Sequence, residues 1–271
     1  MPELPEVETT LRGIVPHILH HRIKKIIIRQ YQLRWKIPSD IHLILVNKTL
    51  IGAERRGKYI LLKTTYGAII IHLGMSGHLK ILTKNQPHRK HDHVDLIFSN
   101  NIILRFTDPR RFGAFLWVEG NPFNHSLLKD LGVEPLSKNF SASYLFSQAQ
   151  NKTTAIKSLI MNSNIVTGIG NIYAAEALFK AGIHPETSAK SLSIERLQLL
   201  VKAIKKILRH AIKKGGTTLK DFSDSDGKPG YFSHQLKVYG REGLACIKCH
   251  STLQSIKIGQ RSTVYCKRCQ T

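Results

Sequence analysis

Acidic residues and cysteines are both scarce in this chain. The 271 residues include only 18 Asp and Glu against 41 Lys and Arg, so the formal net charge is +23. So large an excess of positive charge is typical of a protein that binds a polyanion. Two anionic partners are therefore open at this point, a nucleic acid and an anionic membrane surface.

Long apolar runs are missing as well. No segment reaches the roughly 18 consecutive apolar residues of a membrane-spanning helix, and the N-terminus lacks the charged-then-apolar order of a signal peptide. Nothing resembles a phosphate-binding glycine loop with its lysine or a nucleophilic serine, so nucleotide hydrolysis and acyl transfer have no support. The sequence therefore favours a cytoplasmic protein with a nucleic-acid partner and no membrane.

The four cysteines form two C-x-x-C pairs within the last 26 residues, and 16 residues separate the pairs. This spacing is typical of a four-cysteine zinc site. Four thiolates complete the tetrahedral shell of zinc and leave no open position for a substrate. Two disulfides would use the same cysteines, but they are unusual in a chain without a secretion signal. The sequence predicts one structural zinc ion held by Cys246, Cys249, Cys266 and Cys269.

The N-terminal part of the chain is predicted to be mostly strands after one leading helix. Apolar residues recur at helical spacing from Pro5 to His20. Short runs rich in Ile, Val, Leu and aromatics follow, and their spacing is typical of an antiparallel sandwich or barrel. The predicted strands are Ile23 to Gln30, Gly57 to Thr64, Ala68 to Leu73, His78 to Leu82, His93 to Phe98, Ile102 to Thr107 and Ala114 to Val118.

The C-terminal part changes to a helical period. The predicted helices are Ala155 to Met161, Asn171 to Ala181 and Ser193 to Lys214. The lysines on the last of these also fit an ordinary solvated face. A polar stretch from Asp221 to Ser233 is predicted to be a mobile loop. Alternation around Gly259 to Ser262 predicts a β-hairpin with Arg261 near its tip.

We expect an α+β multidomain protein with four parts. They are an N-terminal antiparallel β-sandwich domain led by one helix (1–133), a linker (134–150), a helical domain (151–234) and a four-cysteine zinc-finger β-hairpin (235–271).

The first six residues, Met-Pro-Glu-Leu-Pro-Glu, place a proline beside a carboxylate. Loss of Met1, which is usual before a small residue, would expose the amine of Pro2 next to Glu3. An α-amino group has a pKa of about 7.7–8.0, against about 10.4 for lysine, so far more of it is unprotonated at neutral pH. A secondary amine that condenses with a carbonyl-like carbon gives a cationic iminium, a form of covalent catalysis. The same residues also fit a stiff N-terminus before a helix, whose dipole favours Glu3 and Glu6.

Two further stretches combine positive charge with aromatics. Lys58 lies in Arg55-Arg56-Gly57-Lys58-Tyr59, which fits phosphate steering. The segment Asp108 to Gly113 puts two arginines and a phenylalanine on a predicted turn. Such a set can fill the space left by a base taken out of the stack, and it also fits a structural turn. The nearby histidines are interpreted as solvated or phosphate-contacting rather than metal-binding: His88, His91 and His93.

Several motifs occur in the order found in one family of DNA-repair enzymes. They are Met-Pro-Glu-Leu-Pro-Glu-Val-Glu-Thr at the start, Arg56 to Tyr59, His72 to Gly77, Asp108 to Gly113, Gly170 to Tyr173 and the four-cysteine finger. Over essentially its whole length the chain resembles formamidopyrimidine-DNA glycosylase. Endonuclease VIII is similar in architecture, but it typically has glycine where Leu4 stands and does not share Met75, Arg110 and Phe112.

The resemblance implies a bifunctional glycosylase and AP lyase that acts as a monomer on duplex DNA containing oxidised purines. It also implies a helix-two-turn-helix in the helical domain. Pro2 would attack C1′ of the damaged nucleotide, Glu3 would help to open the sugar and expel the base, and Glu6 would be an accessory carboxylate. Lys58 would bind the lesion-side phosphate or base and assist proton transfer. Arg261 would grip phosphates beside the lesion and assist the last elimination.

The resemblance implies DNA contacts too. Met75, Arg110 and Phe112 would fill the space of the everted base, with Arg110 facing the orphaned cytosine. The backbone contacts would be His91, Lys152 and Asn171, and the region Asp221 to Ser233 would help to close over the extruded base.

Two other classes remain open from the residues alone. A non-enzymatic zinc-finger DNA-binding protein has no use for an N-terminal proline. An RNA-binding protein of ribosomal type rarely carries so large an apolar core.

Overall fold

The computed structural model describes residues 1–84, 86–216 and 235–271. Within them, one compact unit contains residues 1–129 and 214–216, and the other contains 130–213 and 235–271. The predicted loop from Asp221 to Ser233 lies outside the described residues. No helix in the described ranges is both long and apolar enough to cross a membrane.

The first unit is a β-sandwich with a leading helix, as expected. Its helices are α1 (Leu4–Ile18) and α2 (Ile41–Leu45). Its strands are β1 (Ile23–Ile28), β2 (Gly52–Arg56), β3 (Tyr59–Thr64), β4 (Gly67–His72), β5 (His78–Leu82), β6 (Asp92–Phe98), β7 (Ile103–Thr107) and β8 (Ala114–Glu119). Two four-stranded antiparallel sheets have the orders β1-β6-β7-β5 and β2-β3-β4-β8.

All seven predicted strands are present, with ends that differ from the predicted bounds by up to two residues. The sequence analysis missed α2 and β2. Strand β2 reads Gly-Ala-Glu-Arg-Arg and has no apolar alternation, because every residue in it is only half-buried. It forms by pairing with β3 along its whole length.

Helix α1 belongs to the same core as the sheets. Val7, Leu11, Ile14 and Ile18 recur at spacings of three and four, and all are buried in one cluster with side chains of both sheets. This apolar stripe explains why the segment is helical and which face it buries. It also places the start of α1, and the residues before it, on the sandwich.

The second unit is helical, with α3 (Ala142–Ala149), α4 (Ile156–Met161), α5 (Asn171–Ala181) and α6 (Ile194–Lys213). Helix α3 lies inside the stretch predicted as a linker, so that prediction was wrong for 142–149. Ser141 accepts a hydrogen bond from the amide of Tyr144 (3.1 Å) and caps the helix. Leu145 and Ala149 are buried, and two such residues give too short a pattern to detect.

Helix α6 buries an apolar stripe with spacings of three and four residues, which does not include its first residue. Leu197, Val201, Ile204, Leu208 and Ala211 are buried, but Ile194 is 39% exposed. Since Ile194 begins the helix, its side chain lies beyond the packed face.

The zinc module ends the second unit with the hairpin of β9 (Gln254–Ile258) and β10 (Arg261–Tyr265). Gly259 and Gln260 connect the strands with φ of +54° and +60°, as in a two-residue type I′ turn. Arg261 pairs with Ile258 at the turn, so it lies at the hairpin tip as predicted. The module packs on α5 through a buried cluster: Ala175, Phe179, Val238, Cys246, Leu253, Val264 and Cys266.

Candidate functional site

The residues around Pro2 are held by the cap of α1. Glu3 precedes the helix, and its amide donates to Oε2 of Glu6 (2.9 Å), while the Glu3 side chain accepts from the amide of Glu6. This reciprocal pair is a capping box, which satisfies two amides at the helix start. The side chains of Glu3 and Glu6 are only 3% and 2% exposed. Two carboxylates are thus fixed within four residues of Pro2.

Pro2 itself is buried and follows Met1, so its nitrogen is part of a tertiary amide in the described chain. An amide nitrogen is not a nucleophile. Nucleophilic attack by Pro2 therefore requires the removal of Met1.

Gly216 lies against Glu6 within the first unit. A Cβ at Gly216 would come within 3.1 Å of Glu6 Oε1 and 3.3 Å of its Cγ, and the φ of this glycine is +80°. A side chain here would therefore displace a carboxylate of the candidate site.

Lys58 lies on the turn between β2 and β3, and this turn is tied to α1. Arg55 donates from Nε to Glu8 Oε2 (2.9 Å) and from Nη1 to the carbonyl of Gly57 (3.1 Å). Burial raises the pKa of Glu8, but hydrogen bonds from Arg12 and Arg55 outweigh it and lower that pKa below the ordinary value. Glu8 is therefore a charged anchor that connects the Lys58 turn to the helix carrying Glu3 and Glu6.

His72 connects this region to the loop with Met75. Its Nδ1 accepts from the amide of Gly74 (3.0 Å), and its ring centroid is 4.8 Å from that of Tyr59. Burial, with the charges of Lys58 and Arg34, lowers the pKa of His72 to about 4. The imidazole is thus neutral at pH 7, as its acceptor role at Nδ1 requires. The sequence analysis gave His72 no role.

Three exposed side chains occupy the two loops that follow β4 and β7. Met75 and Phe112 are 37% and 42% exposed. The guanidinium carbon of Arg110 lies 4.8 Å from the ring centroid of Phe112, within cation–π range. The structure therefore places apolar and cationic groups on the surface, as a set that could enter a stack of bases.

Asp108 braces the two loops. This residue is fully buried, and its carboxylate accepts from the amide of Gly113 (2.7 Å) and the hydroxyl of Ser76 (3.4 Å). Its carbonyl accepts from Nε2 of His93 (2.8 Å). At Gly74, where φ is +64°, a Cβ would come within 2.6 Å of the carbonyl carbon of Phe112. The loops are therefore packed backbone to backbone, which residue type alone does not reveal.

His91 lies just before strand β6. The register of this strand shifts between Asp92 and Val94, so His91 and His93 do not share a strand face. His91 is half-buried, and its Nδ1 is buried without a hydrogen-bond partner. Its carbonyl accepts from the amide of Asp108 (3.0 Å), which attaches it to the same loop.

In the second unit, a buried lysine organises the hairpin. Lys157 is 1% exposed, and its Nζ donates to Oδ1 of Asn171 and to Oγ1 of Thr263, both at 2.5 Å. Asn171 donates from Nδ2 to the carbonyl of Ser262 (3.0 Å). The start of α5 and the strand led by Arg261 are thus joined through one ammonium group. The sequence analysis missed Lys157, although a lysine between buried residues of α4 is a detectable anomaly.

Lys152 and Arg261 are the exposed cations of this unit that the resemblance singled out. Lys152 lies between α3 and α4, where its amide donates to the carbonyl of Ala149 (3.0 Å). Arg261 opens β10 at the hairpin tip.

The four cysteines have the geometry of a tetrahedral zinc site. Their sulfurs all lie within 4.8 Å of one another, with Cys246 to Cys269 at 3.9 Å and Cys249 to Cys266 at 3.4 Å. A zinc ion with Zn–S bonds of about 2.3 Å has tetrahedral edges of about 3.8 Å. Within the described ranges, these residues are the one group of three or more His, Cys, Asp or Glu side chains arranged to hold a metal ion.

Three family models match the chain in order. The N-terminal domain of formamidopyrimidine-DNA glycosylase matches residues 1–115, the H2TH domain of the same protein matches 131–223, and a zinc finger found in FPG and IleRS matches 243–271. With the sulfur geometry, the last match identifies one structural zinc ion bound by the cysteines.

Relatives and solved structures agree along the whole chain. The formamidopyrimidine-DNA glycosylase of Shewanella amazonensis is 53% identical over 271 residues, which is 100% of both chains. A Lactococcus lactis FPG mutant in complex with a Fapy-dG containing DNA has a TM-score of 0.92 at 32% identity, with 100% of both chains covered. Lactococcus lactis Fpg in complex with an abasic site containing DNA has a TM-score of 0.91 at 32% identity, with 99% of each covered. The chain therefore belongs to the formamidopyrimidine-DNA glycosylase family.

Proposed function

We propose that this protein is a bifunctional DNA glycosylase and AP lyase of base-excision repair, and that its substrates are oxidised purines in duplex DNA. These are 8-oxoguanine and the formamidopyrimidines. The observation that carries the proposal is the N-terminal arrangement, in which Pro2 is followed by two buried carboxylates locked in one capping box. A buried carboxylate beside an amine is the minimum set for acid-assisted covalent catalysis.

Pro2 is the proposed nucleophile after Met1 is removed. Its nitrogen bonds to C1′ of the damaged nucleotide, and the bond from C1′ to the base breaks as the base leaves with the electron pair and takes up a proton. Glu3 donates a proton to O4′ as the C1′–O4′ bond opens, and the nitrogen loses its own proton. The product is a cationic iminium. Glu6 is an accessory carboxylate whose bond to the Glu3 amide keeps Glu3 in place.

The iminium explains strand cleavage by the same amine. Its positive charge acidifies the hydrogens at C2′, so loss of one of them expels the 3′ phosphate, and a second elimination expels the 5′ phosphate. We assign Lys58 to the lesion-side phosphate or base and to proton transfer, and Arg261 to the phosphates and the last elimination. A zinc ion with four thiolates has no open position, so its role is to hold the hairpin that presents Arg261.

The remaining assigned residues contact the DNA in this proposal. Met75, Arg110 and Phe112 fill the space of the everted base, with Arg110 facing the orphaned cytosine. Support comes from their exposure and from the bracing of their loops by Asp108. The backbone contacts are assigned to His91, Lys152 and Asn171.

A cleavage assay on two lesions tests this proposal. Matched duplexes contain 8-oxoguanine opposite cytosine, or an oxidised pyrimidine such as dihydrothymine opposite adenine. We expect faster excision of 8-oxoguanine and a one-nucleotide gap with phosphate at both ends. Cleavage of neither duplex would reject the enzyme in favour of a DNA-binding module. Preference for dihydrothymine would reject the assigned substrate class in favour of an endonuclease VIII-like activity.

We further propose that the protein acts as a monomer in the cytoplasm. Light scattering after gel filtration should give a mass close to that of one chain, both free and bound to a short duplex. A mass of two chains would reject the monomer.

A further inference from the structure

The second unit carries a groove of about 780 Å³ that the proposed reaction does not use. One wall is the C-terminal end of α5, and the opposite wall is one face of α6, from Lys206 to Lys213. The first cysteine turn of the zinc module, at Ile247 and Lys248, closes one side. Because α6 rises about 1.5 Å per residue, this face is about 10 Å long.

The floor of the groove is apolar. Phe179 lies beneath it and is 2% exposed, while Ile247 at the edge is 45% exposed. Ile207 on α6 contributes a further half-buried aliphatic side chain. The ammonium of Lys248 lies 4.8 Å from the ring centroid of Phe179 and covers one face of it. A ligand would therefore meet the aliphatic side chains of Ile207 and Ile247, with Phe179 buried below them.

The rim of the groove is cationic on every side. Its exposed charged residues are Lys180, Lys206, Arg209, Lys213, Lys237 and Lys248. The one acid among the described lining residues is Glu176, and it is buried. Its carboxylate accepts hydrogen bonds from the amides of Lys237, Val238 and Tyr239, at 2.9–3.0 Å. No carboxylate of the described lining is thus available to neutralise the rim, which favours an anionic ligand.

The groove lies away from the residues assigned to the DNA backbone in the same unit. Asn171 is the first residue of α5, whereas Phe179 and Lys180 are near its end, about 13 Å along the helix. Asn171 also holds the hairpin through Ser262, so Arg261 belongs to the opposite end of α5. Single-stranded nucleic acid is usually held by exposed aromatic faces on which bases stack, and the described lining offers none. Aliphatic contacts surrounded by lysines instead match a peptide with acidic and apolar side chains.

We propose that this groove is a docking site for an acidic, amphipathic segment of a partner protein. The apolar side chains of the segment contact Ile207 and Ile247, and its carboxylates pair with the lysines and the arginine of the rim. This interaction brings a partner to the enzyme without occupying the residues assigned to DNA.

A peptide titration with full-length, zinc-loaded protein tests the proposal. The probe is a fluorescein-labelled ten-residue peptide of Asp and Glu with a central Phe-Leu pair, measured by anisotropy. A second peptide of equal charge carries Ser-Ser in place of Phe-Leu. We expect the first peptide to bind at least fivefold more tightly than the second, because only it can use the apolar floor. Equal binding of the two, or no binding, would overturn the proposal.

Charge reversal at the groove tests whether the Phe-Leu peptide binds there. Lys206→Glu with Lys213→Glu should weaken the Phe-Leu peptide at least tenfold. The control is Lys138→Glu with Lys202→Glu, which changes the net charge equally at exposed lysines outside the lining, and it should stay within about twofold of the unmutated protein. Equal losses in both variants would show non-specific attraction and overturn the proposal. Zinc content and melting temperature verify that each variant is folded.

The same variants separate a peptide groove from a DNA surface. Cleavage of 8-oxoguanine duplex by the Lys206→Glu, Lys213→Glu variant should remain within about twofold of the unmutated protein. A loss of duplex affinity as large as that of Arg261→Ala would assign the groove to DNA and overturn the docking site. If the peptide does not bind, the protein should still cleave the 8-oxoguanine duplex. A wrong docking site can therefore be distinguished from a wrong enzymatic function, which would abolish cleavage.

Discussion

The N-terminal carboxylates and the zinc hairpin are both fixed in place, but by different means. Glu3 and Glu6 are three residues apart, and two hydrogen bonds with the backbone at a helix start hold them. The hairpin instead depends on four cysteines spread over 24 residues and on the buried Lys157, which lies 106 residues before its partner Thr263. The first arrangement is local and independent of any metal, whereas the second exists only when distant segments meet. The two regions should therefore respond differently to perturbation.

Removal of zinc should have the largest effect, and it should unfold only the zinc module with its hairpin. Zinc binding contributes on the order of 10–16 kcal/mol in small structural modules, more than the apolar cluster around Phe179 is expected to replace. We expect chelation to unfold residues 235–271 and to abolish strand cleavage, while amide protection in α1 and β4 persists in hydrogen exchange. Retention of both the module fold and DNA binding after zinc loss would contradict this assignment.

Substitution of Glu3 should have the next largest effect. It should lower the rate of base excision without changing stability or DNA affinity. Glu3→Gln keeps an acceptor for the amide of Glu6 but removes the acid, so base excision should fall by about 10²–10⁴. Melting temperature and duplex affinity should change little. Glu119→Gln, at the exposed last residue of β8 in the same unit, is the matched control and should retain excision within about twofold. An equal loss in both variants would mean that the loss does not come from the acid function of Glu3.

Lys157→Met tests whether the buried lysine attaches the hairpin to α5. The change leaves Oδ1 of Asn171 and Oγ1 of Thr263 without their buried donor, at a cost of about 1–3 kcal/mol. We expect duplex affinity to fall about tenfold with zinc content unchanged, because the metal site remains but the hairpin loses its attachment to α5. The exposed Lys202→Met is the control. Unchanged affinity in Lys157→Met would show that the metal alone positions the hairpin.

His72 should give the smallest effect, as a pH dependence of the first unit. Its folded pKa of about 4 lies below the ordinary value of 6.5. Between these values the unfolded chain binds a proton that the folded chain does not, so stability falls as pH drops from about 6.5 toward 4. From pH 6.5 to 5.5 this group should remove about 1 kcal/mol. His72→Asn preserves an acceptor for Gly74 and should flatten this part of the urea-denaturation profile. Identical slopes in both proteins would contradict the assigned pKa.

Much of this fold follows from patterns that are local in sequence. The seven strands rich in Ile, Val, Leu and aromatics, helix α1 and the cysteine pairs were predictable because each depends on a pattern within about twenty residues. Strand β2 and helix α3 were not, since β2 is charged and exists by pairing with β3, and α3 has only two buried side chains. The linker prediction was wrong for 142–149 because two buried side chains are too few to reveal the helical period of α3.

The candidate site also has a part that is local in sequence and a part that depends on long-range contacts. The N-terminal proline and its carboxylates are contiguous, so residue types pointed to them. The same residues also fit a stiff helix start, and their roles came from the family resemblance. The bracing of Met75 and Phe112 by Asp108 and Ser76 joins loops 32 residues apart. Lys157 acts on Thr263 across 106 residues. Such contacts depend on the packing of each unit, which spacing does not encode.

Borohydride trapping tests the central claim, that the nitrogen of Pro2 is the nucleophile. The protein with Met1 removed is compared with an otherwise identical protein that carries an uncleaved N-terminal tag, each mixed with 8-oxoguanine duplex and reduced. We predict a covalent DNA adduct that mass spectrometry maps to Pro2, and no adduct with the tagged protein, because its Pro2 nitrogen is an amide. An adduct on any lysine, or equal trapping in both proteins, would contradict the claim.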